Sequence, residues 1–213
     1  MKKYTHLVFD IDGTLMDSAR VTLLSLQEAV RDVKGAEYPL EELKFGFGLP
    51  GVRTMEILGC DDPVYAQQRW MYFHKIYSER LGIPLFDGIA EVIDELDAAG
   101  VALGIITSKE REEYERQFTD NGLIDYFPCV ITADMTKRGK PYPDPMLEYL
   151  RMTGASKDEV LYFGDTAYDM QCAASSGVDS ALALWGCLDP DGVDAVYRVE
   201  SVEDIPGFAA GAR

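Results

Sequence analysis

The stretch Leu7-Val8-Phe9-Asp10-Ile11-Asp12-Gly13-Thr14-Leu15 constrains this chain more than any other. An apolar run too short for a helix predicts a buried strand, and this one stops abruptly at two aspartates. Residues two apart in extended backbone project to the same side, so Asp10 and Asp12 share a face. Gly13 then permits a sharp turn, which places the strand end at an exposed cleft. Two carboxylates so placed repel by roughly 4 kcal/mol when ~4 Å apart at an effective dielectric of about 20. A cation, a shared proton or a catalytic task would account for keeping them together. Taken alone, the motif also permits a solvated acidic turn.

The stretches that follow fall into two kinds. From about Ser18 to about Leu81 the pattern is helical and no convincing strand is visible. Asp17 or Ser18 can cap a first helix with the apolar face Val21, Leu24, Ala29 and Val30, broken by Gly35 and Pro39. A short segment near Leu40 to Phe45 and a turn at Gly46-Phe47-Gly48-Leu49-Pro50-Gly51 come next. A third segment carries Val52, Met55, Ile57 and Leu58. Asp61-Asp62-Pro63 opens a fourth helix holding Trp70, Tyr72, Phe73, His74 and Tyr77, whose aromatic residues are read as packing for that region.

Beyond a linker at Gly82 to Pro84, helices and strands alternate. A helix is expected over Gly88 to Ala99 and a strand over Val101 to Ile106. A charged helix should run from Lys109 to Asn121-Gly122, and a strand from Cys129 to Thr132. After a polar loop, a helix should reach Met152. The strand Val160 to Phe163 should feed a helix through Met170 to Ser175, with further strands near Asp179 to Leu184 and Ala195 to Val199. Such alternation implies an α/β fold with a mostly parallel sheet covered on both faces. The expected organisation is an α/β core from residues 1–16 and 84–213, with a small all-α domain, 17–83, inserted after the first strand.

The chain can bury a proper core: it has 213 residues, 47% of them hydrophobic. Twenty basic against 37 acidic residues give a net charge of −17. That balance argues against nucleic acid or an anionic membrane as partner, and it requires local positive charge wherever an anionic substrate binds. No stretch approaches membrane-spanning length, and the apolar run behind Met1 is too short for a signal peptide. Cys60, Cys129, Cys172 and Cys187 form no Cys-x-x-Cys pair and read as reduced, small apolar residues. A cytoplasmic protein is expected, with its oligomeric state left open.

In an open parallel sheet, ligands bind beyond the carboxyl ends of the strands. Three expected strands finish there in polar residues: Asp10 and Asp12, Thr107 and Ser108, and Asp165. The loop after a fourth delivers Lys140. Each has an ordinary structural alternative: Asp165 as a helix cap with Asp169 one turn on, Thr107 or Ser108 as a cap, Lys140 as a solvated loop residue. Convergence of four elements on one edge favours a site.

The chemistry these groups suit is phosphoryl transfer. Asp10, Asp12 and Asp165 offer hard oxygen ligands suited to Mg²⁺, and no His/Cys cluster suggests zinc. One aspartate can attack phosphorus, forming an aspartyl phosphate, while the other exchanges the proton with leaving group and water. Thr107 and Ser108 as donors and Lys140 as counter-charge would bind the phosphoryl group.

These motifs resemble those of the haloacid dehalogenase superfamily in order and spacing. Asp10-Ile11-Asp12-Gly13-Thr14-Leu15 is similar to its first motif and Ile105-Ile106-Thr107-Ser108-Lys109 to its second. Lys140-Pro141-Tyr142-Pro143-Asp144-Pro145 is similar to the third, and Gly164-Asp165-Thr166-Ala167-Tyr168-Asp169 to the fourth. The resemblance implies a Rossmann-like core with Asp10 as nucleophile and Asp12 as general acid/base. It implies Mg²⁺ held by Asp10, the Asp12 backbone carbonyl and Asp165, with Asp169 supporting from behind. The helical insert is similar to the cap of the phosphoglycolate phosphatase-like branch, which closes over the site and selects the leaving group.

Departures narrow the choice. The dehalogenases proper lack the second aspartate, present here as Asp12. The phosphonate-hydrolysing branch uses a cap lysine, whereas the turn Gly48 to Arg53 offers only Arg53, a candidate for gripping a substrate's distal anion. The sugar-phosphate mutase branch carries a histidine where this chain has Thr22. The expectation is therefore a Mg²⁺-dependent phosphatase acting on a small phosphorylated metabolite: phosphoglycolate, a sugar phosphate, a nucleotide or pyrophosphate. A phosphomutase, and a catalytically idle binding module of the same fold, are the alternatives.

Overall fold

The computed structural model describes residues 2–118 and 122–210, and divides the chain into two compact units. The first comprises Met1–Met16 with Leu85–Arg213, the second Asp17–Pro84.

The first unit is built on six strands: β1 (His6–Phe9), β2 (Ala102–Ile106), β3 (Cys129–Ile131), β4 (Val160–Gly164), β5 (Asp179–Ala183) and β6 (Tyr197–Val199). They form one sheet in the order β3-β2-β1-β4-β5-β6, with every pair parallel. Among the described residues, the α-helices of this unit are α5 (Ile89–Ala98), α6 (Arg111–Phe118), α7 (Asp144–Thr153) and α8 (Ala167–Ser176). α6 starts at Arg111 rather than Lys109, and of its expected end at Asn121-Gly122, Asn121 lies outside the described residues.

Burial on both faces explains why the strands read as apolar runs without alternation. Val8, Ile106, Ile131 and Tyr162 pack on one side with Tyr149 of α7 and Cys172 of α8. On the other, the Phe9 and Phe163 rings stack at 5.1 Å, and Phe208 meets Phe163 edge-on at 5.8 Å. Each such fully buried side chain contributes roughly 1.5–3 kcal/mol by leaving water.

From β1 the sheet grows one way through β2 and β3, and the other way through β4, β5 and β6. The reversal falls between β1 and β4, where an open α/β sheet forms its crevice. Phe9 and Phe163 are register partners there, so Asp10 and Gly164-Asp165 leave the sheet side by side. The strands β3, β5 and β6 are shorter than expected, ending at Ile131 and Ala183 and starting at Tyr197.

The second unit is helical, with α1 (Ala19–Lys34), α2 (Leu40–Leu43), α3 (Gly51–Ile57) and α4 (Pro63–Leu81). In α4, Asp62 accepts a hydrogen bond from the Tyr65 N–H at 3.0 Å and Pro63 takes the first helical position, as the Asp-Pro pair predicts. Ser18 occupies the cap position of α1 without a side-chain cap bond. The buried face of α1 is Val21, Leu23, Leu26, Ala29 and Val30, whereas Leu24 is only half-buried. Trp70 donates to Ser25 Oγ at 3.0 Å, tying α4 to α1. Tyr72 departs from the packing expected of it: it is 53% exposed, with the Arg69 guanidinium over its ring. His74 is buried.

Candidate active site

The first loop is shaped by its own backbone. Asp10 N–H donates to Phe163 O at 2.9 Å, so the chain is still held by the neighbouring strand when it reaches the first aspartate. Gly13 then adopts φ 75°, a left-handed conformation that costs a side-chain-bearing residue energy, and its N–H closes the turn on Met16 O at 2.9 Å. The Trp185 indole donates to Thr14 O at 2.9 Å, and Gly186 lies so close that an added Cβ would sit 1.8 Å from Gly13 O. The loop after β5 thus braces the aspartate turn.

Lys140 joins two of the acids. Its ammonium lies 2.9 Å from Asp10 Oδ2 and 2.6 Å from Asp169 Oδ1, and all three side chains are buried. This excludes the solvated-loop alternative for Lys140. The Tyr162 hydroxyl joins the group, 2.9 Å from Asp169 Oδ1 and accepting from Lys140 at 3.3 Å.

Asp165 does not cap α8. Thr166 does, its Oγ1 accepting from Asp169 N–H while Asp169 Oδ2 accepts in return from Thr166 N–H at 3.0 Å. Asp165 is left pointing inward, with Oδ1 accepting from Thr14 Oγ1 at 3.3 Å. Its Oδ2 is buried without a hydrogen-bond partner. Gly164 permits the close packing: a Cβ there would meet Asp169 Cβ at 2.4 Å.

On the β2 side, Thr107 is buried and its Oγ1 accepts from Lys109 N–H at 3.2 Å. A hydroxyl that accepts one bond keeps its own proton to donate. Ser108 beside it is half-buried. Lys109, to which the sequence reading assigned no role, is itself buried and reaches Asp12 Oδ2 at 2.6 Å. Tyr162 was missed as well, being read only as strand interior. For Lys109 a signal existed: a lysine three residues past a buried strand end, on the same sheet edge as Thr107. For Tyr162 only its place on the face shared with Val8 and Ile106 would have pointed there.

Electrostatics follow from this burial. Asp10 is pushed up to about 7 by burial, with Asp169 and Asp12 adding to the rise and Lys140 opposing it. Burial, with Asp169 and Asp10, drives Asp165 well above the carboxylate range. Burial works against the Lys140 charge, but Asp10 and Asp169 outweigh it and hold the ammonium above its ordinary value. Asp10, Asp12, Asp165 and Asp169 face two ammonium groups, Lys109 and Lys140, which leaves two negative charges when all are ionised.

Carboxylate oxygens of Asp10, Asp165 and Asp169 lie within 4.8 Å of one another. Asp169 has both oxygens engaged by Lys140, Tyr162 and Thr166, which suits it to support rather than ligation. The unpartnered Asp165 Oδ2 and the surplus of two negative charges fit a hard divalent cation such as Mg²⁺. Arg53 is in the helical unit, on α3, exposed and ion-paired with Glu56 at 2.8 Å.

Comparison with known proteins identifies the family. Residues 7–183 match the model of the haloacid dehalogenase-like hydrolase family. The chain is 29% identical to a phosphoglycolate phosphatase of Aquifex aeolicus, over 84% of each chain. It is 25% identical to the pyrophosphatase PpaX of Bacillus velezensis, over 96% of this chain and 95% of that one. Among solved structures, a Lactobacillus plantarum protein provisionally described as a phosphoglycolate phosphatase superposes with a TM-score of 0.88 at 27% identity. The match covers 97% of this chain and 99% of that one.

Proposed function

The chain belongs to the haloacid dehalogenase-like hydrolase family, and from that premise we propose that it is a Mg²⁺-dependent phosphatase working through an aspartyl phosphate on Asp10. Its substrate would be a small phosphorylated metabolite, either a phosphate monoester or pyrophosphate. The observation that carries this reading is the buried group of Asp10, Lys140, Asp165 and Asp169 at the β1/β4 crevice, with Asp12 two residues from Asp10.

Asp10 is the nucleophile: its oxygen bonds to phosphorus as the bond from phosphorus to the leaving oxygen breaks. Asp12 gives its proton to that oxygen, then takes one from the water that cleaves the aspartyl phosphate, so both side chains end as they began. Lys140 supplies positive charge to the transferring group, and the Thr107 hydroxyl, with Ser108, donates to its oxygens. Asp169 holds the Lys140 ammonium against Asp10, and Tyr162 and Thr166 hold Asp169. Asp10, the Asp12 backbone carbonyl and Asp165 would hold Mg²⁺, which supplies charge neutralisation between the phosphate and the carboxylates when bound.

The test is phosphate release across a panel containing phosphoglycolate, sugar phosphates, nucleotides and pyrophosphate, with Mg²⁺ and with excess chelator. Metal-dependent release from one class is expected, and Asp10→Asn should abolish it while the protein stays folded. Near-normal turnover in that variant would overturn the mechanism. Isomerised product without free phosphate, seen only with an added sugar bisphosphate, would replace it with a mutase.

A further inference from the structure

Lys109 is the second lysine of the site, and nothing in the proposed reaction yet uses it. Its ammonium lies 2.6 Å from Asp12 Oδ2 and 3.6 Å from Glu113 Oε1, with the side chain only 8% exposed. Lysine is rarely buried, because removing an ammonium from water is costly unless it is paired. The backbone leaves little freedom here: Lys109 N–H donates to Thr107 Oγ1 at 3.2 Å, and Lys109 O accepts from Ala133 N–H at 2.9 Å. The residue is pinned to β2 on one side and to the loop after β3 on the other. Its charged end therefore has a fixed origin from which to hold Asp12.

We propose that Lys109 is the positioning residue for Asp12, fixing that side chain where it exchanges protons with the leaving oxygen and the attacking water. The proposal rests on the phosphatase reading above and adds to it how Asp12 is held. Asp12 lies two residues beyond Asp10, whose N–H is still bonded to the neighbouring strand, and precedes a left-handed glycine that fixes the turn of the backbone. A charged hydrogen bond from a donor anchored at both backbone ends fixes the direction of the carboxylate. The competing explanation is that Lys109 merely balances charge, or braces the start of α6 through Glu113.

Leaving-group dependence separates the two. In the first step, the Asp10 oxygen bonds to phosphorus, the bond to the leaving oxygen breaks, and the Asp12 proton goes to that oxygen. An alkoxide needs that proton; p-nitrophenolate does not. Single-turnover release, with enzyme and Mg²⁺ in excess, would be measured for phosphoglycolate or the best unactivated ester of the panel, and for p-nitrophenyl phosphate. Lys109→Met should slow release from the unactivated ester about 100-fold and from p-nitrophenyl phosphate less than about tenfold. In an Asp12→Asn background, Lys109→Met should slow the unactivated ester by no further factor, because the group it acts through is gone. Glu113→Gln should resemble the wild type on both esters.

Equal slowing on both esters would overturn the proposal. So would no slowing, an undiminished effect in the Asp12→Asn background, or a Glu113→Gln loss matching that of Lys109→Met. If Lys109→Met does not fold, Lys109→Arg moves the charge and must show the same ester selectivity; equal losses there would overturn the proposal as well. Wild-type protein releasing neither leaving group would overturn the phosphatase reading, and the proposal with it.

Discussion

Lys140 Nζ lies 2.9 Å from Asp10 Oδ2, with both side chains shielded from solvent, although the two residues are 130 positions apart in the chain. Removing one partner of such a pair leaves the other charge buried alone. Lys140→Met is expected to destabilise the protein by about 3–5 kcal/mol at pH 8, read from denaturant unfolding, since Asp10 and Asp169 both lose their counter-charge. Turnover should fall at least about 100-fold in the same variant. A stability within about 1 kcal/mol of the wild type would show that the acids do not depend on this ammonium.

Mg²⁺ should stabilise the folded chain independently of any substrate. A ligand at 100 times its dissociation constant adds about 2.7 kcal/mol. For a chain of this size that corresponds to roughly 2–4 °C of melting temperature per kcal/mol. Wild-type protein should therefore melt several degrees higher in Mg²⁺ than in chelator. Asp165→Asn should lose most of that difference, because it removes the carboxylate whose Oδ2 has no protein partner. An equal Mg²⁺ shift in the variant would move the cation elsewhere.

Gly164→Ala adds one methyl group at a crowded point behind the site. Its Cβ would meet Asp169 Cβ at 2.4 Å and Asp169 Cγ at 2.5 Å, and Asp169 is fixed by Thr166 and Lys140. Overpacking of this kind costs about 1–3 kcal/mol. A loss in that range on chemical denaturation is expected, together with reduced turnover as Asp169 shifts. Unchanged turnover would show that Asp169 need not hold Lys140 where it does.

The pH dependence of stability should carry a signature of His6. Its Nδ1 lies 3.0 Å from the Tyr149 hydroxyl, and burial holds its pKa below the ordinary histidine value, with the Glu159 carboxylate pulling the other way. Between the folded value and about 6.5 the unfolded chain binds more protons than the folded one. The contribution of His6 is therefore complete above that window and is lost as pH falls through it. Wild-type protein compared with His6→Asn should lose its relative stability between pH 7.5 and 5. A difference independent of pH would mean that the imidazole does not titrate differently on folding.

How much of this was legible in the sequence depends on the range of the interaction. The strands β1, β2 and β4 were visible because each is a short apolar run between turn signals, buried on both faces of a parallel sheet. Asp10, Thr107 and Asp165 could be placed on one edge because chain direction alone puts strand ends there. The Asp62-Pro63 start of α4 and the Gly35 stop of α1 are local codes and were readable as such. Less was legible where neighbours from other elements decide: Lys109 and Tyr162 were given no role, yet they meet Asp12 and Asp169 across the sheet edge. The alternative of Asp165 as helix cap is set aside by the Thr-x-x-Asp box, in which Thr166 caps α8. Tyr72 is exposed despite its aromatic ring, which meets Arg69 and Phe73 of its own helix.

The sequence by itself thus determined the alternation of strands and helices, the parallel sheet, and the residue types at its carboxyl edge, all set by periodicity and turn chemistry within a few residues. Tertiary structure alone decided which lysine serves which aspartate. Lys140 reaches Asp10 and Asp169, and Lys109 reaches Asp12, across 130, 29 and 97 positions of chain. Such pairings follow from the spatial order of the strands in the sheet, because charge interactions depend on distance in space and burial, and neither is written in the spacing of the residues.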